Sequence, residues 1–475
     1  LHLHRTPAAA SLLRNLSRAA LASFATLGLV ACGNTYRPVV SAINPVGPAG
    51  QPTKYAVAIS TTGASTPGLV TLVDFSGDTV LDTTLIGVNP LYLQLANTGF
   101  EGYTLNGDGT LTSFSVSTSL LASQVLQSTL LPNSNPVAIY SQGTYLYIAE
   151  TGRNSVAELS GLPPAIQQEL PTGAGTIYTV GASSSPRAYA LVTNGTANGT
   201  AVPIETSNNT TDAAIPVGVN PTYGVMTSDS RRAFILNKGS NNVSVINAQT
   251  NALDTFNLNG TVQSTIPVGI APVWADFAPT LSEMLVANQG SATSPCSDGV
   301  TLGCGSVTIV SIPLCSASTV TTNPLCDTAN PVDATGFGTV IANIPVGVHP
   351  IMIGVLQDGT QAFVANAGSA ATASNPASCV LPTAGHVPNC SVTVINLMTN
   401  TVISTIPFIA SSNEGDTYGH GHPNYIGVTT GTPTGKAYVT AGDSTDITII
   451  RSDNDLIQTH LPLQGNGVSV RMSAP

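Results

Sequence analysis

The stretch Glu414-Gly415-Asp416-Thr417-Tyr418-Gly419-His420-Gly421-His422-Pro423 holds the densest set of potential metal ligands in the chain. Neutral imidazole nitrogens beside a carboxylate are common donors to zinc, copper or nickel, and a His-x-His pair presents two of them from one loop. His349 stands before a proline one repeat earlier, as His422 does, and His386 lies between the two. The candidate ligands of a divalent transition metal are therefore His349, His420, His422 and Asp416, with Glu414 as a further carboxylate. The competing reading is structural, in which Gly-rich loops use His to hydrogen-bond neighbouring backbone. Arg153 and Lys238 fall in other rim loops, but neither a G-x-S-x-G elbow nor a paired-carboxylate motif accompanies them.

At the front of the chain, Arg5, Arg14 and Arg18 precede an apolar, small-residue run over 19–31 that contains no acidic residue, the pattern of an export signal. The run is too short for a membrane span. It ends Leu29-Val30-Ala31-Cys32-Gly33-Asn34, which resembles the bacterial lipobox, where cleavage before the cysteine leaves a thiol that carries a diacylglycerol. The resemblance implies a signal peptide over 1–31, a lipidated Cys32 and membrane attachment through that lipid. At about 0.8 kcal/mol per buried methylene, three acyl chains hold a protein essentially permanently. Gly33, standing where Asp favours inner-membrane retention, points to the outer membrane of a cell envelope. The Pro- and Gly-rich remainder of 32–54 reads as an extended tether.

Loss of three arginines with the signal moves the formal charge from −11 to −14, which argues against nucleic acid or anionic lipid as a charge-driven partner. Six cysteines remain beyond Cys32, an even number in an oxidising compartment. Of their possible connectivities, three near-neighbour pairings stand out: Cys296 with Cys304, Cys315 with Cys326, and Cys379 with Cys390. None has C-x-x-C spacing, so structural disulfides are favoured over zinc or redox roles.

The elements that would position these groups follow from an internal repeat of roughly 40 to 50 residues, the period of a propeller blade. One copy reads IPVGVNPTYGVMTSDSRRAFILNKGSNNVSVINAQTNAL over 215–253. Another reads IPVGVHPIMIGVLQDGTQAFVANAGS over 344–369 and resumes as SVTVINLMTNTVISTIP over 391–407. Each divides into four short strands rich in Val, Ile, Thr and Tyr with turn residues between. A lone four-stranded blade cannot bury both faces, so the copies must stack around an axis. These units, with Lys436-Ala437-Tyr438-Val439-Thr440, resemble the YVTN-type β-propeller repeat, a likeness that covers nearly everything after residue 54.

Innermost strands are expected after Pro90, Pro136, Gly175, Pro221, Pro272, Pro350 and Pro423. The N-terminal strands at 55–60, 69–75 and 79–86 lack an innermost partner, which the segment 467–473 supplies. The expectation is an all-β propeller over 55–475 with eight four-stranded blades, closed by pairing of the two chain ends. Seven is the alternative count if 176–218 is an excursion. Strand order puts the insertions at 289–305 and 367–390 on the same face as the histidine loops, so ligand binding is expected on that decorated face. Asp276 and Arg471 are the charged residues within innermost strands, read as pairing with polar neighbours between blades rather than lining the channel; Trp274 is read as core. Asn237, Asn288 and Asn366, each ending a second strand, are read as turn formers.

With no convincing catalytic set, the leading expectation is a non-catalytic binding or scaffold module with a protein, glycan or polymer partner. The alternative is a lactonase-like or metal-dependent hydrolase at the propeller mouth, since propeller lactonases have similar repeats.

Overall fold

The computed structural model describes residues 55–96, 98–117, 120, 124–182, 185–258, 260–313, 336–369, 379–380, 383–410, 417–429 and 434–473. Cys32, Cys315, Cys326, Glu414 and Asp416 lie outside them.

Eight antiparallel sheets follow one another as blades. In seven of them the innermost strand is Pro90–Leu95, Pro136–Gln142, Thr176–Gly181, Pro221–Met226, Pro272–Ala278, Pro350–Val355 or Pro423–Val428, and successive strands step outward. Blade 1 combines Tyr55–Thr61, Pro67–Asp74 and Thr79–Val88 with the C-terminal strand Asn466–Met472, which pairs with Tyr55–Thr61 and completes the ring. The seven-blade count is excluded, because Thr176–Gly181, Arg187–Asn194 and Ala197–Glu205 form a true sheet whose third strand is flanked by two short segments, Thr210–Thr211 and Ile215–Val219. Cores lie between blades. One such cluster joins Phe363, Val392 and Phe408 of blade 7 to Ile426 and Val439 of blade 8, and full burial of each large apolar side chain stabilises by about 1.5–3 kcal/mol.

The repeat's polar letters act as locks. The residue ahead of several blade-opening prolines takes a left-handed conformation, with φ of 52° at Asn89, 51° at Asn220 and 55° at His349. Asn and His tolerate that region better than most residues. The turn between third and fourth strands needs the same conformation at Asp78, Asn209, Asn251, Asn400 and Asp455. Some of these residues also hold the previous blade: Tyr147 donates to Asn209 Oδ1 at 2.6 Å, Tyr189 to Asn251 at 3.1 Å and Tyr438 to Asp78 at 2.7 Å. The aromatic residue of the second strand therefore clamps one blade to the next.

The asparagines ending second strands prove to be buried anchors, correcting their reading as turn formers. Asn106, Asn237, Asn288 and Asn366 are fully buried, and their amide nitrogens donate to Ser or Thr hydroxyls of the third strand. Each packs against the glycine that lies three residues before the blade-opening proline. A Cβ on Gly87, Gly218, Gly269 or Gly347 would come within 2.7 Å or less of Asn106, Asn237, Asn288 or Asn366 respectively. The glycine of Pro-Val-Gly is required by the asparagine beside it, since a buried amide needs both room and partners.

The bridges Cys296–Cys304 and Cys379–Cys390 form as expected. The loops they close touch each other, for Val387 N–H donates to Asp298 Oδ2 at 2.9 Å. The Thr301 hydroxyl, together with that bond and the Val300 N–H, holds the Asp298 carboxyl well below the usual carboxylate range.

Candidate functional site

Where each innermost strand leaves its opening residue, the register shifts by one in seven blades. Such a bulge re-aims the side chain that follows. The third residue of these strands is Tyr92, Ala138, Tyr178, Tyr223, Trp274, Met352 and Tyr425. Ring contacts run among four of them: Tyr178 to Tyr223 at 4.9 Å, Tyr223 stacked on Trp274 at 4.1 Å, and Trp274 edge-on to Tyr425 at 5.8 Å. Burial raises the hydroxyl pKa of Tyr178 and Tyr223 well above 10, so both phenols stay neutral.

Below this aromatic tier lies a cavity of about 390 Å³ lined by residues including Tyr223, Trp274, Asp276, Met352, Gln357, Tyr425, Thr429, Arg471 and Ser473. Asp276 and Arg471 thus line the cavity and also reach polar groups of the next blade, Asp276 the N–H of Val355 and Arg471 the hydroxyl of Tyr92. Trp274 packs against two core clusters but also lines the cavity, so it is only partly core. The Arg471 guanidinium lies 4.9 Å from the Tyr425 ring centroid and 5.9 Å from that of Tyr92. Its one hydrogen bond among the described residues is a long one, 3.4 Å, to the Tyr92 hydroxyl, and Nε is buried without a partner. No carboxylate lies within ion-pair distance of it among the described residues. Arginine remains charged at any physiological pH, so this is a cation in a largely aromatic enclosure with donors to spare.

Asp276 faces the same space and spends its oxygens on backbone. Phe277 N–H donates to Oδ1 and Val355 N–H to Oδ2, each at 2.9 Å. Burial outweighs these bonds and pushes its pKa up to about 6. The lining runs from the aromatic tier toward the C-terminal ends of the innermost strands. Both disulfide-bridged insertions leave from the opposite end, since Asn288 pairs with Pro272 and Asn366 with Pro350. The axial cavity therefore extends away from the decorated face, against expectation.

The candidate histidines lie on that decorated face, but they are divided among separate partners. His349 Nε2 lies 3.1 Å from Gln289 Nε2, and burial together with Lys238 lowers its pKa. His422 Nδ1 meets Asp443 Oδ2 at 2.7 Å, and His386 lies 3.6 Å from Asp298. His420 is buried and its Nδ1 meets Asp446 Oδ2 at 2.6 Å, while its ring stacks on His460 with centroids 4.0 Å apart. Potential ligand atoms come within 4.8 Å of one another in two groups among the described residues: His420 with Asp446 and His460, and His422 with Cys379 and Cys390, whose sulfurs are joined to each other. His349 belongs to neither group. Arg153 is committed to Glu169.

Sequence reasoning passed over His460 and Asp446. The signal was present in the repeat register: three residues before the blade-opening proline, where Gly87, Gly218, Gly269 and Gly347 stand, blade 8 has His420. Opposite that proline, where blades 2, 5, 6 and 7 have Asn, stands Ala441.

No protein-family model matches the chain, and no curated protein matches it significantly. Among solved structures, the dihydro-heme d1 dehydrogenase NirN in complex with DHE aligns over 90% of this chain and 76% of its own, with 12% identity and a TM-score of 0.54. Apo AztD from Citrobacter koseri aligns over 88% of this chain and 97% of its own, with 9% identity and a TM-score of 0.52. At these identities the likeness concerns architecture, and it agrees with the sheet order in making this chain a β-propeller.

Proposed function

We propose that this protein is a binding module of the cell envelope, tethered through Cys32, whose axial cavity takes an organic carboxylate with a ring face, such as the uronate end of an acidic glycan. The observation that carries the reading is Arg471, a half-buried guanidinium whose Nε is enclosed and which has no carboxylate at ion-pair distance among the described residues, with the rings of Tyr425 and Tyr92 against it and Trp274 in the same cavity wall. A carboxylate would supply the missing counter-charge through paired N–H donors. The aromatic faces suit the C–H face of a sugar or another flat ring, and about 390 Å³ lies within the range of small-ligand sites. The lipobox and the disulfides support an exported, outer-membrane location, and the tether would leave the propeller free to meet a polymer end.

Trp274 is the sole tryptophan of the chain and stands in the cavity wall, so in the folded protein tryptophan emission comes from one residue beside the ligand space. Titration with galacturonate, benzoate and uncharged galactose should change the emission saturably for the carboxylates, with little response to galactose, and Arg471→Met should abolish the difference. Equal responses to galactose and galacturonate would refute an anion site.

A second reading rests on Asp276, a carboxyl with its pKa near 6 in the same cavity as a guanidinium. That pairing of a proton acceptor with an oxyanion stabiliser suits hydrolysis of a lactone. Turnover of a lactone panel that is lost in Asp276→Asn distinguishes it from binding alone.

A further inference from the structure

The swap in blade 8 goes beyond a replaced lock. In blades 2, 5, 6 and 7 a glycine makes room for a buried Asn, which donates to hydroxyls. In blade 8 His420 stands at the glycine's position and Ala441 at the asparagine's, so the imidazole occupies the space of the amide. The backbone bond of the lock persists: His420 N–H donates to Thr448 Oγ1 at 3.4 Å, as Gly87 donates to Thr112 and Gly269 to Thr308, each at 3.1 Å.

A structural anchor needs nothing more, yet two further groups are gathered here. A hydroxyl at Ser391 suffices to receive the Asn366 amide, whereas blade 8 puts the carboxylate of Asp446 at the start of its third strand. The outermost strand, Ile457–Pro462, adds His460, whose ring lies within 11° of parallel to that of His420. Nε2 of His420 is buried and has no hydrogen-bond partner among the described residues, which is costly for a polar ring. His420 Nδ1 and Asp446 Oδ2 face each other at 2.6 Å, and His460 Nδ1 lies 3.2 Å from Thr448 Oγ1, so an ion entering here would take His420 Nδ1 and an Asp446 oxygen as neighbouring ligands in place of their mutual hydrogen bond.

We propose that His420, Asp446 and His460 form a binding site for a divalent transition ion of the zinc, copper and nickel class, between blades 7 and 8 on the decorated face. Two imidazole nitrogens and a carboxylate oxygen are a borderline donor set that selects such ions over calcium or magnesium. Their ligand atoms already lie within 4.8 Å of one another. Ligation at about 2.0–2.2 Å draws them closer, so the parallel stack must tilt as the lone pairs converge. This assignment replaces His349 and His422 with His460 and Asp446, and it is independent of the axial cavity.

The test loads the tag-free full chain with zinc, removes excess by gel filtration, and measures metal by mass spectrometry beside melting with and without chelator. Near-stoichiometric zinc is expected in the wild type and in His349→Gln and His422→Gln. It should be lost in His460→Gln and reduced at least tenfold in Asp446→Asn, with circular dichroism unchanged. Cobalt should give visible absorption bands that vanish in His460→Gln. Should His460→Gln fail to fold, the wild type decides alone: zinc must raise its melting temperature reversibly, and no shift overturns the site. Zinc retained in a folded His460→Gln, or lost in His422→Gln but not there, also overturns it.

Discussion

The Gly87–Asn106 lock predicts a specific non-additivity. Asn106 is fully buried, with Nδ2 donating to Thr112 Oγ1 and Thr110 Oγ1 at 3.0 Å each and Oδ1 accepting from Thr104 at 3.2 Å. At about 1 kcal/mol net per bond, Asn106→Ala should destabilise by about 2–3 kcal/mol. A Cβ on Gly87 would lie 2.2 Å from Asn106 Nδ2 and 2.5 Å from Cγ, so Gly87→Ala must displace the amide. Overpacking of this kind costs about 1–3 kcal/mol, plus whatever hydrogen bonding is lost. In the double variant both clashing atoms are gone, and the nearest remaining atom is the Thr110 hydroxyl at 2.7 Å, which is able to rotate. The double variant should therefore be more stable than the sum of the singles by about 1 kcal/mol or more. Urea unfolding followed by Trp274 fluorescence and circular dichroism measures this, provided the two transitions coincide. Strict additivity, within about 0.5 kcal/mol, would refute the lock.

Three further outcomes follow from the geometry. Asp78 joins blade 1 to blade 8, accepting from Lys436 Nζ at 2.7 Å, Tyr438 at 2.7 Å and Gln458 at 2.6 Å. Asp78→Ala strands a mostly buried ammonium, so the midpoint of unfolding should fall by the equivalent of about 3–5 kcal/mol, against a much smaller change for the exposed Asp453→Ala. Replacing both Cys379 and Cys390 by Ala frees an eleven-residue separation and should lower stability by about 2–3 kcal/mol on the chain-entropy estimate, read as a drop in melting temperature. Asp276 titrates near pH 6, far above its unfolded value. It is ionised above that pH and repels an anion held by Arg471, and it is neutral below. Affinity for a uronate, itself still charged, should rise as pH falls from 7 to 5 and flatten in Asp276→Asn; an unchanged slope in that variant assigns the pH dependence elsewhere.

Blade order was legible because it is local: a proline opens an innermost strand, an Asn or Asp permits the turn before the fourth, and period-two apolar runs lie between. Closure was legible by counting strands, since 55–88 lacks one and 467–473 has no other partner. The Cys296–Cys304 and Cys379–Cys390 bridges were legible from spacing. Function of the buried asparagines was not, because Asn suits both a turn and a buried amide, and the glycine that decides between them lies about 19 residues away. The axial cavity was missed for a related reason: one-residue bulges determine which face of a strand meets the axis, and its lining is the sum of several blades. His460 escaped notice because it is solitary in sequence and meets His420 only across the blade interface.

The most direct test of the account is calorimetric titration of the wild type and Arg471→Met with galacturonate and with its uncharged methyl ester. The account predicts that the wild type binds the free acid at least tenfold more tightly than the ester, and that Arg471→Met, folded by circular dichroism, treats the two alike. Discrimination that survives in Arg471→Met, or a wild type that binds neither compound, would contradict it.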